Sequence, residues 1–164
     1  MARSSTLPTK PEDWLHLDVQ LCFALYASSL AMTKLYKPLL APLGLTYPQY
    51  LVMLVLWEAD GISVSALGQR LSLDSGTLTP LLKRLESAKL IARRRASDDE
   101  RRVDLFLTDS GLALKQHALK IPPALACASA CTTTELVSLT QRLHQLREQL
   151  SAATSSSFSP TIKG

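Results

Sequence analysis

The sequence lacks any apolar run long enough to cross a membrane. Its longest run, Tyr50–Trp57, has eight residues, whereas a membrane-spanning helix needs roughly 20. Residues 1–14 hold polar side chains and the prolines Pro8 and Pro11 where a signal peptide would have an apolar stretch. We therefore expect a soluble, cytoplasmic protein.

Cysteine is also scarce. The 164 residues include three cysteines, Cys22, Cys127 and Cys131, with no CxxC pair. An odd number in a cytosolic chain argues against a static disulfide framework and favours reduced thiols. Since 46% of the residues are hydrophobic, the chain is long and apolar enough for one domain with its own core.

The positive charge is concentrated in one segment. The formal net charge is +4, from 18 Lys+Arg and 14 Asp+Glu. Residues 83–102 contain eight of these cations and four of the acids, so they account for the whole excess. A local excess of this kind suits the phosphates of a nucleic acid. Charge alone equally fits a solvated helix face followed by a charged turn.

Both ends have the composition of tails. Residues 1–13 carry two prolines, and residues 151–164 are rich in serine and threonine. Neither segment has enough apolar side chains to offset the entropy lost on ordering. We expect two disordered tails flanking a single domain over residues 14–150.

The first part of that domain has the pattern of a helix-turn-helix. Apolar spacing predicts a long helix over 14–36, ended by Pro38, and a buried helix over 48–58. Two short helices, over 65–71 and 77–88, then flank the capping sequence Asp74-Ser75-Gly76. Pro80, near the start of the second, should bend that helix without breaking it. The face opposite its leucines offers hydroxyls and cations for base edges and phosphates: Ser75, Thr77, Thr79, Lys83 and Arg84.

The hydrophobic period then changes from 3.6 to 2. Residues 91–95 and 103–107 predict two strands around the polar turn 97–101, which makes a β-hairpin. A hairpin directly after a helix-turn-helix predicts a winged helix-turn-helix over about residues 62–108. The basic segment then lies on the second helix of the motif and on the wing, so DNA binding becomes the favoured interpretation. The expected fold class is mainly α with a small β-hairpin wing, an α+β fold.

The remaining sequence is helical again. Thr108 is expected to cap a helix that runs to Ile121, Pro122-Pro123 to interrupt it, and residues 124–131 to resume it. Residues 132–135 fit a capping box for the last helix. That helix has leucines at alternating spacings of three and four, typical of a helix–helix seam: Leu136, Leu139, Leu143, Leu146 and Leu150. We expect a homodimer formed through helices over about 14–37 and 109–150, with two recognition helices about one DNA turn apart.

Cys22 is the candidate reactive thiol. Tyr26 lies one helical turn away, Tyr36 lies close to the same face of the predicted helix, and Tyr47 enters just before the next helix. Phenolic hydroxyls that donate hydrogen bonds to sulfur favour the thiolate. An apolar pocket with a few such donors would suit an organic hydroperoxide. By itself, a cysteine between two apolar neighbours is more often inert core filling.

Several segments resemble one family. They are LCFALYASS from residue 21, YKPLL from 36, LTYPQY from 45, LDSGTLTPLL from 73 and DDER from 98. Over about residues 18–108 the chain resembles the organic-hydroperoxide-sensing repressors of the MarR family. The resemblance implies a homodimeric repressor of a gene for an organic hydroperoxide reductase.

The resemblance also implies roles for single residues. Cys22 would be the peroxidatic cysteine, and Tyr36 and Tyr47 would hydrogen-bond its sulfur, with Tyr26 a weaker partner. Asp99 and Arg101 would form the wing tip in the minor groove. Arg94 of the first wing strand is a further candidate DNA contact.

Oxidation of Cys22 by a peroxide would give a sulfenic acid, which either waits for an external thiol or condenses with a second cysteine. Cys127 and Cys131 are four residues apart, on one face if that segment is helical. Both could also be mere small residues in an alanine-rich segment. We favour Cys127 as the resolving residue, with Cys131 as a backup. The resulting disulfide is expected to be intersubunit and to release DNA by shifting the recognition helices.

Other functions are open to the same residues. A thiol peroxidase would share the cysteine, but the sequence has no CxxC pair and no basic residue beside Cys22, so we do not expect an enzyme. A MarR-type repressor released by a noncovalent phenolic ligand is the other alternative. A metal site made of His117, Cys127 and Cys131 is disfavoured because no acidic or second histidine ligand is near them in the sequence. No cofactor is expected.

Overall fold

The structure, a computed structural model, describes residues 9–96, 99 and 101–155. Residues 1–8 and 156–164 of the predicted tails, and Ser97, Asp98 and Glu100 of the predicted turn, lie outside the described residues. The chain divides into two compact units, Met1–Ile121 and Pro122–Gly164. The expected fold class is confirmed, because helices dominate and the strands form one small antiparallel sheet. The helices are α1 Leu21–Leu40, α2 Tyr47–Glu58, α3 Val64–Leu71, α4 Ser75–Ser87, α5 Asp109–Ala118, α6 Ile121–Ser129 and α7 Thr133–Ser155.

The first long helix differs from its prediction at both ends. The segment before it forms two short 3-10 turns, Pro11–Leu15 and Leu17–Val19, because His16 and Gln20 adopt extended conformations. α1 therefore begins at Leu21. At the other end Pro38 lies inside the helix, which continues to Leu40. A proline so near the end removes only one backbone hydrogen bond, and burial of Leu40, which is 1% exposed, outweighs this loss.

α2 is the central core helix, as predicted. The Thr46 N–H donates to Gln49 Oε1 at 2.8 Å and closes the first turn. Val52 and Met53 are fully buried, and α2 packs against leucines of α3, α4 and the sheet.

In the described part of the chain no single helix is long and apolar enough to cross a membrane. Only the bent pair of Leu21–Leu43 with Tyr47–Glu58, at 68° to each other, reaches that length.

The helix-turn-helix forms as predicted, with caps from two side chains. Ser63 accepts a hydrogen bond from the Ala66 N–H before α3, and Asp74 accepts one from the Thr77 N–H before α4. Pro80 lies inside α4 without ending it. The predicted leucine face of α4 is buried in the core through Leu78, Leu82 and Leu85.

The wing strands have their predicted bounds, and a third strand joins them. β2 (Ile91–Arg95) pairs antiparallel with β3 (Val103–Leu107). β1 (Ile62–Ser63) pairs with the other edge of β3, which gives the order β1-β3-β2. Two residues are too few to display a period of 2, so the sequence pattern did not indicate β1.

α5 closes the first unit. Thr108 caps it as predicted, because the Gly111 N–H donates to Thr108 Oγ1 at 3.1 Å. The helix ends at Ala118, three residues earlier than expected.

The second unit holds most of α6 and all of α7. Pro122-Pro123 do not interrupt a helix, because they occupy the first turn of α6, where backbone N–H groups have no helical acceptor.

The end of α6 and the start of α7 follow from local chemistry. α6 ends at Ser129, and Ala130 takes a left-handed conformation with φ 53°. The predicted capping box is confirmed, since the Thr132 N–H donates to Glu135 Oε2 at 2.7 Å and the Glu135 N–H donates to Thr132 Oγ1 at 3.2 Å. α7 continues to Ser155, so residues 151–155, whose composition indicated a tail, are helical.

Candidate DNA interface and thiol site

The helix-turn-helix and the wing enclose a groove of about 1050 Å³ in the first unit. α3 and the start of α4 form one wall, and the wing forms the other. The polar and charged lining includes Ser65, Gln69, Asp74, Ser75, Thr79, Arg93, Asp99, Arg101 and Arg102. A cationic wall facing a helix rich in hydroxyls can receive a phosphate backbone and base edges.

The predicted contact face of α4 is exposed in full, opposite the buried leucines: Ser75, Thr77, Thr79, Lys83 and Arg84. Two of its hydroxyls already donate within the protein. Thr77 Oγ1 donates to Asp74 Oδ2 at 2.9 Å, and Thr79 Oγ1 donates to the Ser75 carbonyl oxygen at 2.7 Å. A hydroxyl has one hydrogen, so these threonines offer DNA acceptor lone pairs and methyl groups.

Asp74 holds the groove end of α4. The Thr77 backbone N–H donates to Asp74 Oδ1 at 2.9 Å, and the Thr77 hydroxyl bonds the other oxygen. These bonds lower the pKa of Asp74, the backbone bond contributing most. A charged carboxylate therefore caps α4 at neutral pH.

The wing tip is shaped by Asp99. Its Oδ1 accepts the Arg101 N–H at 2.9 Å, and its carbonyl oxygen accepts the Arg102 N–H at 2.9 Å. This is the hydrogen bonding of an Asx-type turn. It places Arg101, one of the predicted DNA contacts, in the lining of the groove.

Strand register decides which wing arginines face the groove. Arg93 lies opposite the buried Leu105, whereas Arg94 lies opposite Asp104. Since side chains alternate along a strand, Arg93 and Arg94 point to opposite faces. Arg93 lines the groove. The guanidinium of Arg94 stacks on the Phe106 ring, 4.9 Å from its centroid, so the structure places this predicted DNA contact away from the groove.

Sequence reasoning missed part of the groove. Arg93 lies two residues after Ile91 in β2, so both side chains point to the same face of the strand. Since the apolar Ile91 marks the inner face, this spacing could have predicted that Arg93 faces the groove and Arg94 does not. Arg102 follows the predicted tip and also lines the groove. Ser65 and Gln69 of α3 complete the opposite wall, and their short helix gave no signal that separates groove residues from solvated ones.

An ion pair connects α4 with the wing. Arg93 Nε donates to Glu86 Oε2 at 2.8 Å, and Arg93 Nη2 binds the same oxygen. The pair lowers the pKa of Glu86 and raises that of Arg93. A second pair, Arg102 Nε to Asp104 Oδ1 at 3.2 Å, lies within the wing.

Cys22 lies in the first turn of α1 and is exposed. Its Sγ lies 3.9 Å from Gln20 Oε1. Tyr26, one turn further, is 61% exposed. Tyr36 is fourteen residues further along the same helix, which at 1.5 Å per residue is about 21 Å along the axis. One chain alone therefore does not bring Cys22 and Tyr36 together.

Tyr36 belongs to an aromatic cluster in the first unit. Its ring centroid lies 4.7 Å from that of Tyr47 and 5.8 Å from that of Tyr50. Tyr50, a buried member that sequence reasoning missed, lies 6.2 Å from Trp57. Burial, with a smaller contribution from Tyr47, raises the pKa of Tyr36 to about 12, and burial also raises the pKa of Tyr47. Both phenols therefore keep their protons and can donate hydrogen bonds.

Cys127 and Cys131 are both exposed but differ in backbone setting. Cys127 lies in α6, whereas Cys131 lies beyond its end, with Sγ 3.4 Å from the Ser129 carbonyl oxygen. The expectation of a shared helical face is wrong, because the left-handed Ala130 turns the chain between them. Among the described residues no three His, Cys, Asp or Glu side chains are grouped to hold a metal ion.

Comparisons with known proteins agree that the chain is similar to transcriptional regulators. Residues 34–118 match the transcriptional regulator family SarA/Rot. The chain is 49% identical over 138 residues to the organic hydroperoxide resistance transcriptional regulator of Bacillus subtilis, covering 84% of this chain and 94% of that protein. Its fold is similar to that of reduced AbfR bound to DNA, with TM-score 0.71, 33% identity and coverage of 86% of this chain and 99% of that one. It is also similar to disulfide-formed AbfR, with TM-score 0.57, 35% identity and coverage of 82% and 95%. AbfR is from Staphylococcus epidermidis.

Proposed function

Since this chain belongs to the MarR-type organic hydroperoxide resistance regulators, which are DNA-binding transcriptional regulators, we propose that it is a repressor released from its operator when an organic hydroperoxide oxidises Cys22. The observation that carries the proposal is the position of this cysteine. It is exposed in the first turn of a helix, in the same chain as a cationic groove built from a winged helix-turn-helix.

DNA binding uses the groove walls. The exposed face of α4 enters the major groove, where Ser75 and Thr79 meet base edges and Lys83 and Arg84 meet phosphates. Asp99 sets the wing tip so that Arg101 reaches the adjacent minor groove. The support for this arrangement is that α4 and the wing border one groove.

The chemistry at Cys22 begins with its thiolate. The sulfur attacks the terminal oxygen of ROOH, the O–O bond breaks, and the OH group stays on sulfur, so Cys22 becomes a sulfenic acid. The alkoxide RO⁻ leaves and takes one proton from solvent to become the alcohol ROH. The exposed apolar side chains before and around the cysteine favour an organic peroxide over a hydrated one: Trp14, Leu15, Leu17, Leu21 and Phe23.

The tyrosine donors come from a second copy of the chain. Since Cys22 lies about 21 Å from Tyr36 along α1, a partner protomer must supply Tyr36 and Tyr47. Each unit has an apolar face suited to such pairing. α1 exposes Leu21, Tyr26 and Leu30, and α7 exposes Leu139, Leu143 and Leu150 of the predicted seam. We therefore propose a homodimer, with Tyr26, on the same helix as Cys22, the weaker donor.

A second cysteine completes the cycle. The Cys127 thiolate attacks the sulfur of the Cys22 sulfenic acid, the S–S bond forms, and hydroxide leaves and is protonated to water. Cys127 is favoured over Cys131 because it lies in regular helix, whereas Cys131 sits in a turn with its sulfur against the Ser129 carbonyl oxygen. The disulfide is proposed to be intersubunit, so its formation moves the dimer helices and with them the recognition helices. An external dithiol reverses it.

The test is operator binding under oxidation. The wild-type protein first selects a tight-binding duplex from a random library. Binding is then measured before cumene hydroperoxide, after it, and after dithiothreitol, for the wild type and three single Cys→Ser variants. We expect Cys22→Ser to stay bound throughout and Cys127→Ser to form no dimer-sized band on a non-reducing gel. Peroxide-induced release of Cys22→Ser would reject the sensor role, and a dimer-sized band from Cys127→Ser would reject the resolving role.

The same assay separates the two alternative functions. A repressor released by a noncovalent phenolic ligand would respond equally after its thiols are blocked. A thiol peroxidase would turn over hydroperoxide many times without any change in DNA binding. Release that needs a free Cys22 thiol contradicts both.

A further inference from the structure

We propose that Glu86 is a positioning residue for DNA recognition: its carboxylate fixes the Arg93 guanidinium against the groove wall and so restricts Arg93 to DNA that fits both α4 and the wing. The inference rests on the proposed DNA binding. It adds a specificity role for a residue that does not itself touch the DNA.

The geometry joins two elements that must act together. Glu86 lies in the last turn of α4, and Arg93 lies at the middle of β2. Both Nε and Nη2 of Arg93 bind Oε2 of Glu86. Lys89, with φ 58°, turns the chain sharply between the two elements. The pair therefore fixes the position of the Arg93 side chain relative to α4.

Arg93 is held at the border of the groove. Its strand partner Leu105 is fully buried, so the stem of Arg93 starts on the inner face of the sheet. Arg93 lines the groove, together with Arg101 and Arg102. The side chains of Arg93 and Glu86 are 35% and 36% exposed, so solvent and DNA can both reach the pair.

Charge and direction limit what Arg93 can bind. A guanidinium has five N–H donors, and two of them point to Glu86. The others remain for a phosphate that approaches from the open side of the groove. Because the adjacent carboxylate offsets the positive charge, a phosphate in any other position gains little from Arg93. The carboxylate thus weakens the attraction of Arg93 for phosphates in other positions. Arg93 can still bind a phosphate that approaches from the open side of the groove.

The chain provides a matched control. Arg70 of α3 binds Glu58 of α2 in a second exposed Glu–Arg pair. Neither residue belongs to the described lining of the groove. Glu58→Gln therefore removes the same charge from the same kind of pair outside the groove.

The experiment uses the reduced full-length protein and fluorescence anisotropy. Each variant binds the library-selected duplex and a scrambled duplex of equal length, between about 50 and 200 mM salt. For Glu86→Gln we expect about fivefold tighter binding of the scrambled duplex at low salt, with little change for the selected one. The slope of log K against log salt on the scrambled duplex should steepen by about one per protomer. Glu58→Gln should match the wild type on both duplexes.

The double variant Glu86→Gln/Arg93→Gln shows whether the effect passes through Arg93. Removal of that cation should return binding of the scrambled duplex to the wild-type level. The inference is overturned if Glu86→Gln leaves the ratio of the two affinities unchanged. It is equally overturned if the affinities for both duplexes fall together with the melting temperature, since Glu86 would then only stabilise the fold. If the wild type selects no duplex at all, the proposed function itself fails.

Discussion

The indole Nε1 of Trp57 donates a hydrogen bond to the carbonyl oxygen of Gly111, 2.9 Å away and buried. In return, Lys115 Nζ of the same helix as Gly111 donates to the Trp57 carbonyl oxygen at 2.8 Å. These two bonds attach α5 to the core helix α2. They place the start of α5 directly behind the turn that leads from the recognition helix into the wing.

We predict that Gly111→Ala destabilises the fold strongly. A Cβ atom at this position would lie 2.0 Å from the Leu90 carbonyl oxygen, which accepts the Thr108 N–H and cannot move freely. The expected loss is about 2–3 kcal/mol in the free energy of unfolding. Urea denaturation followed by circular dichroism measures it. Ser110→Ala, at the exposed neighbouring position, is the control, and equal stability of the two variants would contradict the prediction.

A second prediction concerns pH and the cap of α4. Bonds from Thr77 lower the pKa of Asp74 below its ordinary value of 3.8. A carboxyl group whose pKa is lower in the folded than in the unfolded protein stabilises the fold at pH values above the unfolded-state pKa. This stabilisation is lost as the pH falls through the folded-state pKa. Asp74→Ala should therefore lower the melting temperature at pH 7, and the gap to the wild type should narrow below about pH 4. Thermal melts at both pH values test this, and a gap that does not change with pH speaks against the charged cap.

A third prediction separates the wing arginines by strand face. Arg101 lines the groove at the tip, whereas Arg94 stacks on Phe106 on the other face. Arg101→Ala should weaken binding of the selected duplex at least tenfold and reduce the salt slope by about one per protomer. Arg94→Ala should weaken it less than threefold, with the salt slope near that of the wild type. Anisotropy titrations give both quantities, and equal losses would place Arg94 at the DNA.

A fourth prediction tests whether the tyrosine hydrogen-bond donors to Cys22 come from the partner subunit. Tyr36→Phe removes the phenolic proton that the raised pKa preserves, so Cys22 should form sulfenic acid about tenfold more slowly. In mixed dimers, one protomer carries Tyr36→Phe and the other carries Cys22→Ser. The only reacting thiol then faces the intact tyrosine of its partner, and we expect the wild-type rate. A slow rate in the mixed dimer would show that the donor acts within one chain. Tyr26→Phe should have a smaller effect.

The wing and the helix-turn-helix could be predicted from the sequence because their signals are local. Alternating apolar residues mark the start of β3, the polar turn 97–101 separates it from β2, and Asp74 and Thr108 cap the helices that follow them. The bounds of α1 could not be predicted, because apolar spacing continues back to Trp14 although His16 and Gln20 are extended. Pro38 is the reverse case, where burial of Leu40 outweighs a local preference.

The candidate site was predictable in its parts but not in its pairing. Cys22, the tyrosines and the α4 hydroxyls are visible as residue types at suitable spacings. The Glu86–Arg93 contact spans a turn whose path depends on the packing of the sheet, so no spacing rule indicates it. The separation of Cys22 from Tyr36 already follows from the predicted helix over 14–36, which places them fourteen residues apart on one helix.

The aromatic cluster is part of a continuous series of packing contacts through the first unit. Successive contacts run from Tyr36 to Tyr50 at 5.8 Å, to Trp57 at 6.2 Å, and from its indole to Gly111. Gly111 abuts Leu90, the residue before β2, with no space for even one added carbon atom. Close-packed neighbours transmit displacement instead of absorbing it. A push on the Tyr36 ring therefore has a contiguous path to the base of the wing, more than fifty residues away in the chain.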